Sequence, residues 1–223
     1  MKSRKDLTEP RGRTVVQFYP DRPSLDRSGT LDTLLGSANE VKAVLVGGSG
    51  FITHRPQNAR RVSRAILPHP QCGSLVGYSK TTGDFPGLSS KIAQTTKYLQ
   101  DFGISVRWYP EMICHTLLIG DPQAPSGWAK FESVLPYADF SMRPNIIVRT
   151  REHPEMLQLL DDVFQKMWLN SSDPDKITLS NLLKRGDDVK DSSDVVIVNP
   201  NFYGIGINVR EACRRLQRWL TRR

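Results

Sequence analysis

The chain has 223 residues, of which 38% are hydrophobic and 24% are charged, and it carries a net charge of +8 with a pI near 9.6. This length accommodates a sizeable core, and no apolar run approaches the roughly 20 residues that span a bilayer. The composition therefore argues against a membrane-spanning or wholly disordered chain. It indicates a basic globular protein, a class that attracts polyanions such as nucleic acid.

Residues 1–13 are charged, contain Pro10 and Gly12, and predict a flexible basic arm. No apolar stretch follows this arm, so we expect no secretory signal. The three cysteines are odd in number and widely scattered, which predicts free, buried thiols in a cytoplasmic protein: Cys72, Cys114 and Cys213.

Strands and helices alternate along the rest of the chain, which predicts an α/β fold with a mixed β-sheet flanked by helices. Strands are predicted at residues 14–20, 41–48, 104–110, 112–120, 145–150 and 194–200. Helices are predicted at residues 30–36, 85–103, 153–172 and 208–223, the last one basic and amphipathic. Asn58 is expected to begin a short helix through Ile66, residues 20–29 a loop, and residues 128–144 an irregular or weakly helical segment.

Four regions follow from these elements. The arm at 1–13 precedes a main α/β domain at 14–171, and a polar linker is predicted at 172–193. The C-terminal strand and basic helix at 194–223 are expected to pack on the main domain.

The stretch "ICHTLLIGDP", residues 113–122, places a histidine and a carboxylate close together in the sequence, on a strand that follows a long helix and another strand. A later helix ends in "MWLNS". This order of elements, over roughly residues 30–171, resembles one half of the phospholipase D-like fold. In that superfamily the corresponding strand carries the signature H-x-K-x(4)-D, and the closing helix often ends in a W-x-x-S phrase.

The resemblance implies a phosphohistidine chemistry in which the histidine attacks, the lysine binds phosphate oxygens and the aspartate orients the histidine. Alignment on Asp121 puts Cys114 at the histidine position and Thr116 at the lysine position. Alignment on His115 instead puts Leu117 and Pro122 at the lysine and aspartate positions. The signature is therefore degenerate, with His115 and Asp121 as its candidate catalytic residues.

Strand alternation predicts that His115 shares a face with Leu117 and Ile119, away from Cys114 and Thr116. An active variant would need another cation in place of the lysine, and Lys130, Arg143 and Arg149 are its candidates.

Clusters of arginine are the candidate phosphate- or nucleic-acid-binding residues. One cluster lies in the first third of the chain and the other lies near its end: Arg55, Arg60, Arg61 and Arg64, and Arg214, Arg215 and Arg218. A glycine-rich turn, "VGGSG" at 46–50, offers a weaker phosphate-loop hypothesis with Arg55 as its nearest basic partner. "HPQC" at 69–72 lacks a matching second pair of ligands, so we expect neither a metal centre nor a cofactor.

These patterns together predict a non-catalytic phospholipase D-like binding or regulatory module. Its expected partner is nucleic acid or a nucleoprotein complex, with a protein partner or a homodimer as further options, and no membrane is expected to bind. Two alternatives stay open. One is a phosphodiesterase or nuclease that uses His115 as its nucleophile, and the other is a nucleotide-sensing domain that uses the turn between Gly47 and Arg55.

Overall fold

One mixed β-sheet organises the protein in this computed structural model, which describes residues 16–48, 50–51, 56–75, 78, 87–134 and 140–190. Its strand order is β1-β7-β6-β5-β2-β3-β4. β2, β3 and β4 run parallel to one another, and the other neighbouring pairs are antiparallel. The strands are β1 (Gln17–Tyr19), β2 (Val41–Val44), β3 (Val62–Pro68), β4 (Ser105–Tyr109), β5 (His115–Gly120), β6 (Trp128–Ser133) and β7 (Asn145–Arg149). The predicted fold class, a mixed sheet flanked by helices, is confirmed.

Helices pack on both faces of this sheet. They are α1 (Arg22–Ser28), α2 (Thr30–Ser37), α3 (Pro56–Ala59), α4 (Gly87–Asp101), α5 (Pro154–Leu169) and α6 (Lys176–Lys190), with a short 3₁₀ turn at Phe140–Met142. No helix among the described residues is both long and apolar enough to cross a bilayer. The chain divides into two compact units, Met1–Leu179 and Ser180–Arg223, and the boundary falls inside α6.

α5 covers one face of the sheet, which we call the α5 face. Its Leu157 and Phe164 are fully buried against side chains of β2, β3, β5, β6 and β7. The buried side chains that the sheet contributes to this core include Val44, Ile66, Leu117, Ile119, Ala129 and Val148. A buried ion pair adds to this packing, because Lys42 Nζ lies 2.6 Å from Asp161 Oδ1 of α5. Burying either charge alone would be unfavourable, so the pair ties α5 to the middle of the sheet.

α1 and α4 lie on the opposite face, which we call the α4 face. Trp108 of β4 is buried there, and its indole Nε1 donates to Thr96 Oγ1 of α4 at 3.0 Å. Because successive strand residues point to opposite faces, Arg107 beside it belongs to the α5 face, where it contacts Trp168.

Three segments differ from the sequence prediction. Residues 22–28, predicted as a loop, form α1, since Asp21 Oδ1 accepts from Ser24 N at 2.7 Å and Pro23 suits the first turn. Val62, Ala65 and Ile66, predicted as the apolar side of a helix that begins at Asn58, belong to β3, because parallel pairing on both sides outweighs local helical spacing. Residues 128–133, predicted as irregular, form β6 in the middle of the sheet.

The segment predicted as a polar linker, residues 172–193, contains the helix α6. Asp175 Oδ2 accepts from Thr178 N at 2.7 Å and so caps the start of α6. The N-terminal arm at 1–13 and the C-terminal strand and helix at 194–223 lie outside the described residues. Predictions about those two regions stay predictions.

Candidate functional site

β5 is the strand on which the predicted catalytic residues lie, and the structure places them at its two ends. His115 is the first residue of β5, and Asp121 follows its last residue, Gly120. Six residue steps along an extended strand separate their backbones by about 20 Å. The structure therefore does not bring the two side chains together.

His115 lies on the α5 face, as strand alternation predicts. It is two residues before the buried Leu117, and its imidazole stacks on the ring of Phe131 with centroids 5.5 Å apart. Burial lowers the pKa of His115 below its usual value, because removing the ring from water penalises the charged form. The side chain is thus a neutral ring in an aromatic contact at neutral pH.

Asp121 holds the backbone before β2 in place. Its carboxylate accepts hydrogen bonds from Glu40 N at 2.9 Å and from Asn39 N at 3.0 Å, while its own N–H donates to Glu40 O at 3.1 Å. Its φ of 43° lies in the left-handed region, which is uncommon for a residue other than glycine. These contacts give Asp121 a structural role: it fixes the end of β5 against the start of β2.

The three candidate replacements for the missing lysine are on the other side of the sheet from His115. Lys130 pairs with Leu118 of β5, and Arg149 pairs with Trp128 of β6, and both positions belong to the α4 face. Arg143 reaches the same face, where its Nη1 lies 3.7 Å from Glu132 Oε1. None of these cations lies next to the His115 imidazole.

A buried charge cluster occupies the α4 face beside β5, and sequence reasoning missed it. We define the Glu132 cluster as Glu132, Lys130, Arg22 and Arg143. Lys130 Nζ and Arg22 Nη1 both contact Glu132 Oε2, the latter at 3.3 Å, and the Glu132 side chain is 0% exposed. One carboxylate therefore brings together cations from β6, from α1 and from the segment before β7.

The Glu132 cluster is adjacent to the degenerate signature. Thr116, which takes the lysine position when the signature is aligned on Asp121, pairs directly with Glu132 across β5 and β6. Cys114, at the histidine position, is an exposed free thiol, which corrects the prediction that it is buried; Cys72 is buried as predicted. The sequence did contain one sign of the Glu132 cluster. In "WAKFES", Lys130 and Glu132 are two residues apart and therefore lie on the same face of the strand.

The glycine-rich turn is explained by packing. A Cβ on Gly47 would lie 2.9 Å from Leu88 Cδ1, and one on Gly48 would lie 2.5 Å from Thr95 Cγ2. Thr95 Oγ1 also donates to Gly47 O at 2.6 Å. The close approach of α4 therefore gives a packing reason for small residues at this turn.

The predicted arginine residues are only partly within the described chain. Arg60 lies over the Phe102 ring, Arg61 Nη1 donates to Ala38 O at 3.3 Å, and Arg64 Nη2 lies 3.4 Å from Glu40 Oε1. The other four lie outside the described residues: Arg55, Arg214, Arg215 and Arg218. Within the part of the chain that the structure describes, no group of three or more His, Cys, Asp or Glu side chains is placed to hold a metal ion.

Comparison of the chain with protein-family models gives no match, and comparison with curated proteins gives none either. The site is therefore interpreted from its geometry.

The first prediction concerns the Glu132 cluster. Glu132→Gln removes the buried negative charge that Lys130, Arg22 and Arg143 share, so we expect the free energy of unfolding to fall by about 3–5 kcal/mol. Chemical denaturation of both proteins measures the difference. Glu111→Gln, at an exposed position, is the matched control and should change stability by less than about 0.5 kcal/mol. Equal behaviour of the two variants would contradict a structural role for the cluster.

The second prediction concerns the pH dependence that His115 contributes. The unfolded chain protonates this ring near pH ~6.5, whereas the folded chain does so only at lower pH. The unfolded state therefore binds more protons in that window, and stability falls as the pH is lowered through it. His115→Gln should make the free energy of unfolding fall less steeply between about pH 7 and about pH 5.

Denaturant titrations across this pH range measure the two slopes. His69, whose pKa is also lowered by burial, keeps its own contribution in both proteins. Identical slopes in the wild type and the variant would show that the environment of His115 is not the one described.

Proposed function

We propose that the chain is a non-catalytic binding module with a phospholipase D-like fold, and that it engages nucleic acid or a nucleoprotein partner. The order of elements supports the fold: the long helix α4 and the strand β4 precede β5, and α5 closes the series with Trp168 in its last turn and Ser171 just beyond its end. β5, the strand that the resemblance matches to the signature, is a central strand of the sheet.

The main support for a non-catalytic role is that the candidate signature residues are far apart. Phosphoryl transfer through a histidine needs a nucleophile, a cation for the phosphate oxygens and an orienting group around one reacting atom. Here His115 is stacked on Phe131, Asp121 is engaged by backbone amides at the far end of β5, and Lys130 is on the opposite face in contact with Glu132. No common position lies within reach of all three.

Alignment of the signature on Asp121 also supports a non-catalytic role. Thr116 carries no charge and so cannot replace the lysine that binds phosphate oxygens. The cation closest to it in the strand pairing, Lys130, is 1% exposed and contacts a carboxylate. The polar side chains around the signature therefore serve folding, and binding is the function that the remaining surface supports.

The charge distribution supports a polyanionic partner and indicates which segments attract it. The described residues contain 18 Lys and Arg and 16 Asp and Glu, which leaves a net charge of +2. The whole chain carries +8, so six of its net positive charges lie outside the described residues. Most of them belong to the N-terminal arm and to the arginine-rich segment that contains Arg214, Arg215 and Arg218, and these are the segments we assign to phosphate contacts.

The third prediction tests this assignment. Protein–nucleic acid affinity should fall steeply with salt, because each neutralised phosphate releases counterions. Replacing Arg214, Arg215 and Arg218 by Gln should weaken binding and reduce the magnitude of the slope of log K against log salt by about 2–3. Fluorescence anisotropy with labelled single- and double-stranded oligonucleotides at several salt concentrations measures both quantities.

A matched control removes the same net charge elsewhere. Arg27, Arg151 and Lys184 are exposed, and their replacement by Gln should leave the slope nearly unchanged. Binding that is insensitive to salt, or equal losses in the two triple variants, would contradict the proposed nucleic-acid contact.

A further inference from the structure

The amino ends of the three parallel strands meet at one end of the sheet, and basic and aromatic side chains gather there. Val41 of β2 pairs with Val62 of β3, and Arg64 of β3 pairs with Ser105 of β4. The residues just before β3 and β4 are therefore neighbours in space, although about 40 residues separate them in the sequence. We call this group the arginine edge: Arg60, Arg61, Arg64, Arg107, Phe102 and Trp168.

Aromatic rings contact three guanidinium groups of the arginine edge, and Arg61 Nη1 donates to the Ala38 carbonyl. Arg60 Cζ lies 4.8 Å from the centroid of the Phe102 ring. Arg107 Cζ and Arg64 Cζ lie 4.8 Å and 5.7 Å from the Trp168 ring. Cation–π contacts restrict these long side chains before any ligand arrives, which lowers the entropy cost of binding.

The ion pairs described at this edge are of a kind that a stronger anion displaces. Arg64 lies 3.4 Å from Glu40 and Arg107 lies 3.6 Å from Asp173, and the two carboxylate side chains are 44% and 87% exposed. Exposed ion pairs of this type contribute at most about 1 kcal/mol. A phosphodiester that contacts two guanidinium groups at once forms charge-assisted hydrogen bonds with both of them.

We propose that the arginine edge is a binding site for single-stranded nucleic acid, in which Arg60, Arg61 and Arg64 contact successive phosphates and Phe102 stacks on an unpaired base. Phe102 is 41% exposed, and it adjoins the cations rather than lying in a separate apolar patch. Sequence-tolerant single-strand sites combine these two elements, a basic track and an exposed aromatic ring. Bases in a duplex are stacked on one another and do not offer a free face to the ring.

This inference rests on the proposed function and specifies it, because it adds a folded contact site and a strand preference to the salt-dependent contacts of the terminal segments. The fourth prediction follows. In the full-length chain, Phe102→Leu should weaken binding to a labelled oligo(dT) or oligo(U) by about 5- to 100-fold. It should leave binding to a duplex of the same length unchanged.

The control for this variant is Phe18→Leu. Phe18 is 61% exposed and lies on β1, at the opposite edge of the sheet from β4. The control should change single-strand binding by less than about twofold. A double variant, Arg60→Gln with Arg61→Gln, should reduce the magnitude of the single-strand salt slope by about 1–1.5, whereas Arg27→Gln with Arg151→Gln should not.

Arg64 and Arg107 are left unchanged in these tests because they pack on Trp168, and Arg107 Nη1 also donates to the Trp168 carbonyl at 2.9 Å. Their removal would disturb the end of α5 as well as the site. Thermal unfolding of every variant confirms that the folded state is kept.

The outcomes separate the two proposals. If the wild-type chain binds neither strand form, the proposed function is wrong and this inference falls with it. If the wild type binds with a steep salt slope but Phe102→Leu and the Arg60–Arg61 variant behave like their controls, the arginine edge is not the site and the proposed function stands. A selective loss of single-strand affinity in both variants supports the inference.

Discussion

Alternation of side chains along β5 is the constraint on which the arrangement of the whole site depends. A strand sends neighbouring residues to opposite faces, and β5 is paired on both sides, with β2 and with β6, so its register has no freedom to shift. Leu117 and Ile119 must enter the core under α5. His115 therefore lies on the α5 face and Thr116 on the α4 face. The position two residues after His115, where the signature has its lysine, is the buried Leu117.

The buried charges on the two faces have a common role. Asp161 fixes α5 through Lys42 on one face, and Glu132 gathers Lys130, Arg22 and Arg143 on the other. Each carboxylate connects segments that are distant in the sequence, and each is a poor candidate for chemistry because its charge is already engaged. A buried pair is costly to break and favours one arrangement over others. The polar groups of the interior thus specify the fold.

Local sequence patterns predicted a good part of this fold. The α/β class, the strand alternation around His115 and the long amphipathic helix α5 are all expressed in short-range spacing. β3 was misread because Val62, Ala65 and Ile66 have helical spacing, while its actual environment is a strand on either side. β6 was missed because Lys130 and Glu132 interrupt its apolar pattern, and only the fold shows that both are buried.

The candidate site residues were likewise predictable only where the signal lies in local sequence spacing. The spacing of His115 and Asp121 indicated a degenerate signature, and the structure accounts for both residues by a ring contact and by backbone hydrogen bonds. Lys130 is a local neighbour of Glu132, but the other two partners come from positions 110 residues before it and 11 residues after it, so no local motif contains the whole cluster. The arginine edge likewise needed the pairing of β3 with β4 to bring Arg64 and Arg107 onto one ring, Trp168.

The most direct test of the central claim, that the chain binds nucleic acid without cleaving it, is incubation of the purified full-length chain with end-labelled single- and double-stranded DNA and RNA. Half of each reaction is then run on a denaturing gel and half on a native gel. We predict that every substrate keeps its original length on the denaturing gel, while the single-stranded forms are retained by the protein at low salt on the native gel. A shortened product that disappears in a folded His115→Ala variant would contradict the account, because it would show that His115 acts as a nucleophile from the α5 face.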